Sequence, residues 1–426
     1  MPDTPDSALD ASPVASAAPR LLRDGTVHST TEPYAEAMIV EDGLVAWVGS
    51  DETAEHLRGE QHVVEELDRA LAAPAFVGWA RRPLTELADV DDVAAATSTV
   101  LSAQAAQGAG TLRLSLAVGP EELADARRLR ARLEPVLTAA AAHPLDVHPL
   151  VAVDAGPETA TETAAALESL LQVALDDVDR IAGRPVGVEL TGLWPDGGSA
   201  DMAEADAALT EAVAAIVQAG RQPVLTLPEG ASTSSASVVV ERLEGLRSRL
   251  RELRASPRPD RPLLLLGFDT SAPELWRRVL DTAAHVVLRG PGHLAPALST
   301  GVPISAVPAE GENPWSLISA HVHHPEAGVS VRAGFNAQSR GAFRSLAGEQ
   351  GQAGPGGGGQ LNPGSAATYA IWQVDSLAVQ TPDARTAAWS TDVRARTPLL
   401  PYLDGVTLPG LVALVVDGQE LHRAQL

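Results

Sequence analysis

Cysteine is absent from this chain of 426 residues, and so is lysine, because all 31 basic residues are arginine. The first absence excludes disulfides, thiolate nucleophiles and cysteine-ligated zinc or iron–sulfur centres. The second excludes Schiff-base chemistry, a P-loop lysine and a carboxylated lysine bridging metals. Aromatic residues make up only 3%, and no apolar run is long enough to span a bilayer. Met1-Pro2-Asp3-Thr4-Pro5-Asp6 has neither the basic nor the apolar stretch of a secretory signal, so a cytoplasmic location and no membrane partner are expected. Positive charge is scarce too: 31 arginines stand against 55 acidic residues, for a formal net charge of -24. Such a surface repels phosphate backbones, so no nucleic-acid partner is expected. There is no Gly-x-Ser-x-Gly elbow and no serine–histidine–aspartate set in recognisable context.

What is present reads as strands at both ends around a βα middle. Residues 1–19 are rich in Pro, Ala, Ser and Asp and read as a disordered tail. A strand with an Asp24-Gly25 turn follows. Ala37-Met38-Ile39-Val40 and Leu44-Val45-Ala46-Trp47-Val48 then flank Glu41-Asp42-Gly43, a hairpin signal. The far end repeats the pattern, with Tyr369-Ala370-Ile371-Trp372 and a second hairpin at Asp417-Gly418. Neither strand set can close a core alone, which predicts one β-sandwich from residues 20–72 plus 363–426. Residues 348–362, with Gly356-Gly357-Gly358-Gly359, read as a glycine-rich linker.

Between them, residues 73–347 show candidate strands at 71–77, 111–118, 147–153, 186–190, 223–227, 263–268, 285–288 and 302–307, mostly short and apolar. Ala- and Glu-rich stretches of helical spacing alternate with them; one over 203–219 stops at Gly220. Eight such units predict an α/β protein, a (β/α)8 TIM-type barrel with a small β-sandwich domain built from both termini. A doubly wound open sheet is the alternative, and it lacks a Gly-x-Gly-x-x-Gly after any strand.

Pro74-Ala75-Phe76-Val77-Gly78-Trp79-Ala80-Arg81-Arg82 resembles the first barrel strand of the metal-dependent amidohydrolases, and specifically of amidohydrolase family 3. Asp24-Gly25-Thr26-Val27-His28, Ser339-Arg340-Gly341, Leu361-Asn362-Pro363-Gly364-Ser365 and Ala388-Trp389-Ser390-Thr391-Asp392 follow the same family's pattern in order. The resemblance implies a divalent metal such as zinc, held by histidines of strands one, five and six and an aspartate of strand eight. That metal acidifies a bound water. The matching positions here are Ala80, Arg82, Thr226, Gly267 and Ala309. None is a metal ligand, which leads to the expectation of no cofactor.

Other residues draw attention at the same mouth. Arg82, Glu189, Glu229, Asp269 and Glu310 are candidates there, with Arg82 expected to point inward onto Glu189, Asp269 or Glu310. A solvated acidic rim is the plainer reading of the carboxylates. His321-x-His323-His324 looks like a metal pair but falls on a helix after the eighth strand, where packing is the plainer reading. His28 and His148 read as structural, and Trp79 and Trp194 as pocket lining or packing. Two functions follow. One is an amidohydrolase-like protein that has lost its metal site and serves as a non-catalytic binding or regulatory homologue. The other is an active hydrolase of non-peptide C–N bonds in a small amide or cyclic amide, working through a rebuilt carboxylate site. A small-molecule ligand at the mouth and homo-oligomerisation stay open.

Overall fold

The computed structural model describes residues 18–194, 202–228, 235–348, 358–380 and 397–424. Outside them lie nearly all of the expected tail, most of the glycine-rich stretch, Glu229 and the 388–392 motif.

Six strands come first: β1 (Arg20–Arg23), β2 (Thr26–Val27), β3 (Ala37–Glu41), β4 (Leu44–Gly49), β5 (Val63–Glu66) and β6 (Leu71–Pro74). Eight follow in alternation with helices: β7 (Phe76–Pro83), β8 (Ala109–Ala117), β9 (Asp146–Asp154), β10 (Gly187–Thr191), β11 (Pro223–Thr226), β12 (Leu264–Leu266), β13 (His285–Arg289) and β14 (Ile304–Val307). The chain ends with β15 (Tyr369–Gln373), β16 (Leu377–Ala378), β17 (Leu400–Pro401), β18 (Gly410–Val416) and β19 (Gln419–Arg423).

Strands β7 to β14 pair in sequence order, every pair parallel, and β14 returns against β7. The sheet is therefore a nearly closed barrel, and the open doubly wound alternative does not hold. Alternation of side chains along each strand sorts the residues into two layers. Leu112, Leu114, Leu116, Val151, Val188 and Leu190 pack outward on helical residues such as Leu133, Leu167, Val213 and Leu243. Leu150, Val224, Leu264, Leu266, Val287 and Val307 fill the interior with Trp79.

The strand expected over 71–77 is divided. Residues Leu71–Pro74 pair antiparallel with β15, Leu71 opposite Trp372, and the barrel strand starts at Phe76. Pro74 has no N–H to give a ladder, and the Ala75 N–H goes to the Thr368 carbonyl. After β8 the chain forms two helices, Pro120–Leu123 and Ala126–Ala142, and the Asp125 carboxylate caps the second through the Arg127 and Arg128 N–H groups.

Two sheets make the sandwich. One runs β4-β3-β1-β5, the other β19-β18-β15-β6-β2, so strands from both ends share the second sheet. Leu22, Val27, Met38, Val40, Val45, Tyr369, Ile371, Ala413 and Val415 fill the space between the two sheets. Asp42–Gly43 and Asp417–Gly418 all have positive φ, between 48° and 79°, as a two-residue hairpin turn of matching twist demands. The two turns also touch: a Cβ on Gly43 would meet the Asp417 carbonyl oxygen at 2.9 Å. Asn362 ties the C-terminal segment to the N-terminal one. Its Oδ1 accepts from the Ser29 hydroxyl at 2.8 Å and from the Thr30 and Thr31 N–H groups at 3.1 and 3.3 Å.

Candidate functional site

In a barrel of this kind the C-terminal ends of the strands carry the chemistry. Glu189, at the middle of β10, lies wholly inside the barrel. Its Oε1 accepts from the Thr226 hydroxyl at 2.6 Å and from Arg81 Nη2 at 2.7 Å. Its Oε2 accepts from the Ser115 hydroxyl. A buried carboxylate needs such donors, because an unpaired one would cost several kcal/mol, on the order of its desolvation penalty. Arg81 is anchored at one end and keeps 38% of its side chain exposed at the mouth.

Arg81, not Arg82, is the inward arginine of β7. Trp79 belongs to the barrel interior and Ala80 to the layer beneath the helices, so alternation sends Arg81 inward and Arg82 outward. The alternation is unbroken from Phe76, which shares the helix-facing layer with Ala80, and the extra residue at the register shift is Gly110 of β8. Arg82 instead sits on the rim, donating to Glu310 Oε2 and to the Arg81 carbonyl at 2.8 and 2.7 Å. The ion pair and hydrogen bond with Glu310 raise its pKa.

The remaining family positions are equally plain. Thr226 is buried and serves Glu189. Gly267 has φ +88°, in the turn just after β12. Ala309 is exposed beside Glu310 beyond β14.

A second polar group stands beyond β12 and β13. His293 Nδ1 lies 2.9 Å from Asp269 Oδ2, and the His293 N–H donates to Asp269 Oδ1 at 2.9 Å. The His324 ring meets His293 edge-on at 5.0 Å. Sequence reasoning named Asp269 and passed over His293. The signal was available, because Gly290-Pro291-Gly292-His293 directly follows the C-terminal end of a barrel strand.

The three histidines on and after the helix Pro314–Val322 have separate duties. His321 is buried, its Nε2 accepts from the Gly292 N–H, and burial lowers its pKa to about 4. His323 Nε2 lies 3.1 Å from the Leu403 carbonyl, and His324 Nδ1 accepts from the Ala327 N–H. His28 is buried against Phe335, with burial lowering its pKa to about 4. His148 packs between Asp146 and Arg184, and burial lowers its pKa as well. Trp194 donates to Asp206, and Trp79 lies under the Arg113 guanidinium at 5.1 Å.

Of the proposed carboxylates, Glu189, Glu310 and Asp269 are thus each engaged by a different partner, and Glu229 lies outside the described residues. Among the described residues no three His, Asp or Glu side chains are grouped to hold a metal ion. No helix among them is long and apolar enough to cross a membrane.

No family model matches the sequence, and no curated protein matches it. Solved structures do. An atrazine chlorohydrolase from Arthrobacter aurescens TC1, complexed with zinc, is similar at TM-score 0.61 and 15% identity, over 94% of each chain. An amidohydrolase from a Sargasso Sea environmental sample is similar at TM-score 0.60 and 14% identity, over 95% of this chain and 93% of that one. E. coli guanine deaminase is similar at TM-score 0.58 and 12% identity, over 96% of this chain and all of that one.

The zinc-bound relative overturns the expectation that no cofactor belongs here, because a divalent metal is what this fold holds in that structure. The described donors do not fit such an ion as arranged, each carboxylate being committed to an arginine, a hydroxyl or a histidine. At these identities the likeness is one of fold, which this chain shares with each of the three over nearly its whole length.

Proposed function

We propose that this chain hydrolyses a non-peptide C–N bond in a small amide or cyclic amide at the C-terminal mouth of its barrel. The observation that carries the reading is the Asp269–His293 pair on the loops after β12 and β13. Asp269 accepts from Nδ1 and so leaves the basic lone pair on Nε2. A water oxygen attacks the amide carbon while its proton passes to Nε2. Collapse of the adduct breaks the C–N bond, and the same proton goes to the departing nitrogen. Arg81, fixed by Glu189, supplies a cation for the developing oxyanion or for an anionic end of the substrate. No step is routed through a metal. The similar structures named as amidohydrolase, chlorohydrolase and deaminase support the choice of a hydrolytic reaction.

A second reading is a non-catalytic binding or regulatory homologue. It is favoured by one observation: Ala80, Arg82, Gly267 and Ala309 offer no acid–base group toward the barrel axis, and Glu189 is saturated by three donors. In either case we take residues 73–347 as the barrel domain, 20–72 plus 363–426 as the composite sandwich, and 348–362 as the link between them.

The test is release of carboxylate or amine from hydantoin, dihydrouracil and N-acetyl amino acids by the purified full-length chain. Turnover of one class, lowered about a hundredfold by Asp269→Asn, is the expected result. Binding of these compounds with no turnover would establish the second reading.

A further inference from the structure

A cavity of about 900 Å³ lies at the other end of the barrel. Its floor is formed where strands begin: Leu263 just before β12, His285 at the start of β13 and Ile304 at the start of β14. One wall is the helix Ala236–Glu252, which presents Arg247 and Arg251 four residues apart on one face. The facing wall carries Arg340 and Arg344, again four apart, and Arg258 closes the rim.

The charge of this cavity runs against the whole chain. The protein carries -24 overall, yet five arginines and no Asp or Glu line this space among the described residues. Arg258 is held by Asp260 through two hydrogen bonds, at 3.0 and 2.6 Å. Arg247, Arg251, Arg340 and Arg344 have no carboxylate partner among the described residues. Like charges set four apart on a helix repel, so this arrangement is unfavourable for the empty protein. It becomes favourable when an anion is shared between the two walls. The buried His285 ring, which meets the Ser305 hydroxyl at 3.0 Å, is held neutral by burial and by the nearby Arg113 and Arg344 charges.

We propose that this cavity binds a small phosphate-bearing polyanion, distinct from the substrate at the opposite mouth. Planar guanidinium forks match phosphate oxygens in pairs, and about 900 Å³ is within the usual range for small-molecule sites. A basic hollow in a strongly acidic protein selects a compact, multiply charged ligand over an extended acidic chain or a nucleic acid, whose flanking charges the surface repels.

The test uses inorganic pyrophosphate and the full-length chain. Titration calorimetry should show one saturable site. Arg251→Gln with Arg344→Gln should weaken it at least about tenfold, since one charged fork is lost from each wall. Arg180→Gln, an exposed arginine elsewhere, should leave it unchanged. Independently of any variant, pyrophosphate should protect Arg247, Arg251, Arg340 and Arg344 of the wild-type chain from phenylglyoxal, read by mass spectrometry. Absence of saturable binding, equal binding by the double variant, or protection spread over all arginines would overturn the proposal. So would tighter capture of a polyglutamate peptide than of pyrophosphate.

Discussion

Replacing Glu189 by leucine tests how the barrel mouth is held. Leucine fills a similar volume and accepts nothing. It strands the Ser115 and Thr226 hydroxyls, both buried, and frees Arg81. Each buried hydroxyl left without a partner costs about 1–3 kcal/mol, so the pair costs roughly 2–6. Arg81 adds little, because its side chain is 38% exposed and rehydrates. A loss of that size is a large share of a domain's total stability of about 5–15 kcal/mol. The comparison is Glu310→Leu, which breaks only the half-exposed pair with Arg82 and should cost about 1 kcal/mol or less. Urea unfolding at neutral pH measures both. Adding Ser115→Ala and Thr226→Val to Glu189→Leu should recover most of the loss, since removing both partners of a hydrogen bond is nearly neutral. If Glu189→Leu costs no more than Glu310→Leu, or the triple variant recovers nothing, the reasoning fails.

Gly43→Ala should destabilise by at least about 1 kcal/mol more than Gly183→Ala, because both have positive φ but only Gly43 lies against a carbonyl oxygen; thermal unfolding compares them. Asp146 gives an acid limb to the stability curve. Burial would raise its pKa, but His148 and Arg184 outweigh this and hold it at about 2, so it stabilises the fold fully above the ordinary aspartate pKa of about 4 and loses that contribution as pH falls toward 2. Arg184→Ala should shallow that limb in pH-dependent urea titrations, and an unchanged limb would contradict the assignment. Removing the segment from 363 onward should expose the β6 edge, leaving Leu71 and Ala72 without β15, and give an aggregating product by light scattering.

The barrel was readable because its strands are short apolar runs buried on both faces, and because Gly220 and the Asp-Gly turns sit where the backbone requires positive φ. The division at Pro74 was not readable, since 71–77 is one apolar run and only tertiary pairing with β15 claims its first half. The inward direction of Arg81 was hidden because Ala80-Arg81-Arg82 shows no polar–apolar alternation, and only the place of Trp79 inside the barrel fixes which face is inward. Glu189 was legible as a polar residue in an apolar strand. Its donors Ser115 and Thr226 come from strands 74 and 37 residues away in sequence, and only closure of the barrel brings them together. His293 was legible from its place after β13 and was outweighed by the louder His321-x-His323-His324 pattern.

The proposed activity is tested most directly by kcat/KM for whichever cyclic amide or N-acyl amino acid the wild-type chain turns over fastest, compared with Asp269→Asn and His293→Gln. Both variants should fall by about a hundredfold or more, the usual worth of a positioned general base, with Tm within a few degrees of wild type because the pair is partly exposed. Wild-type rates in both variants, or no turnover by the wild-type chain, would contradict the account.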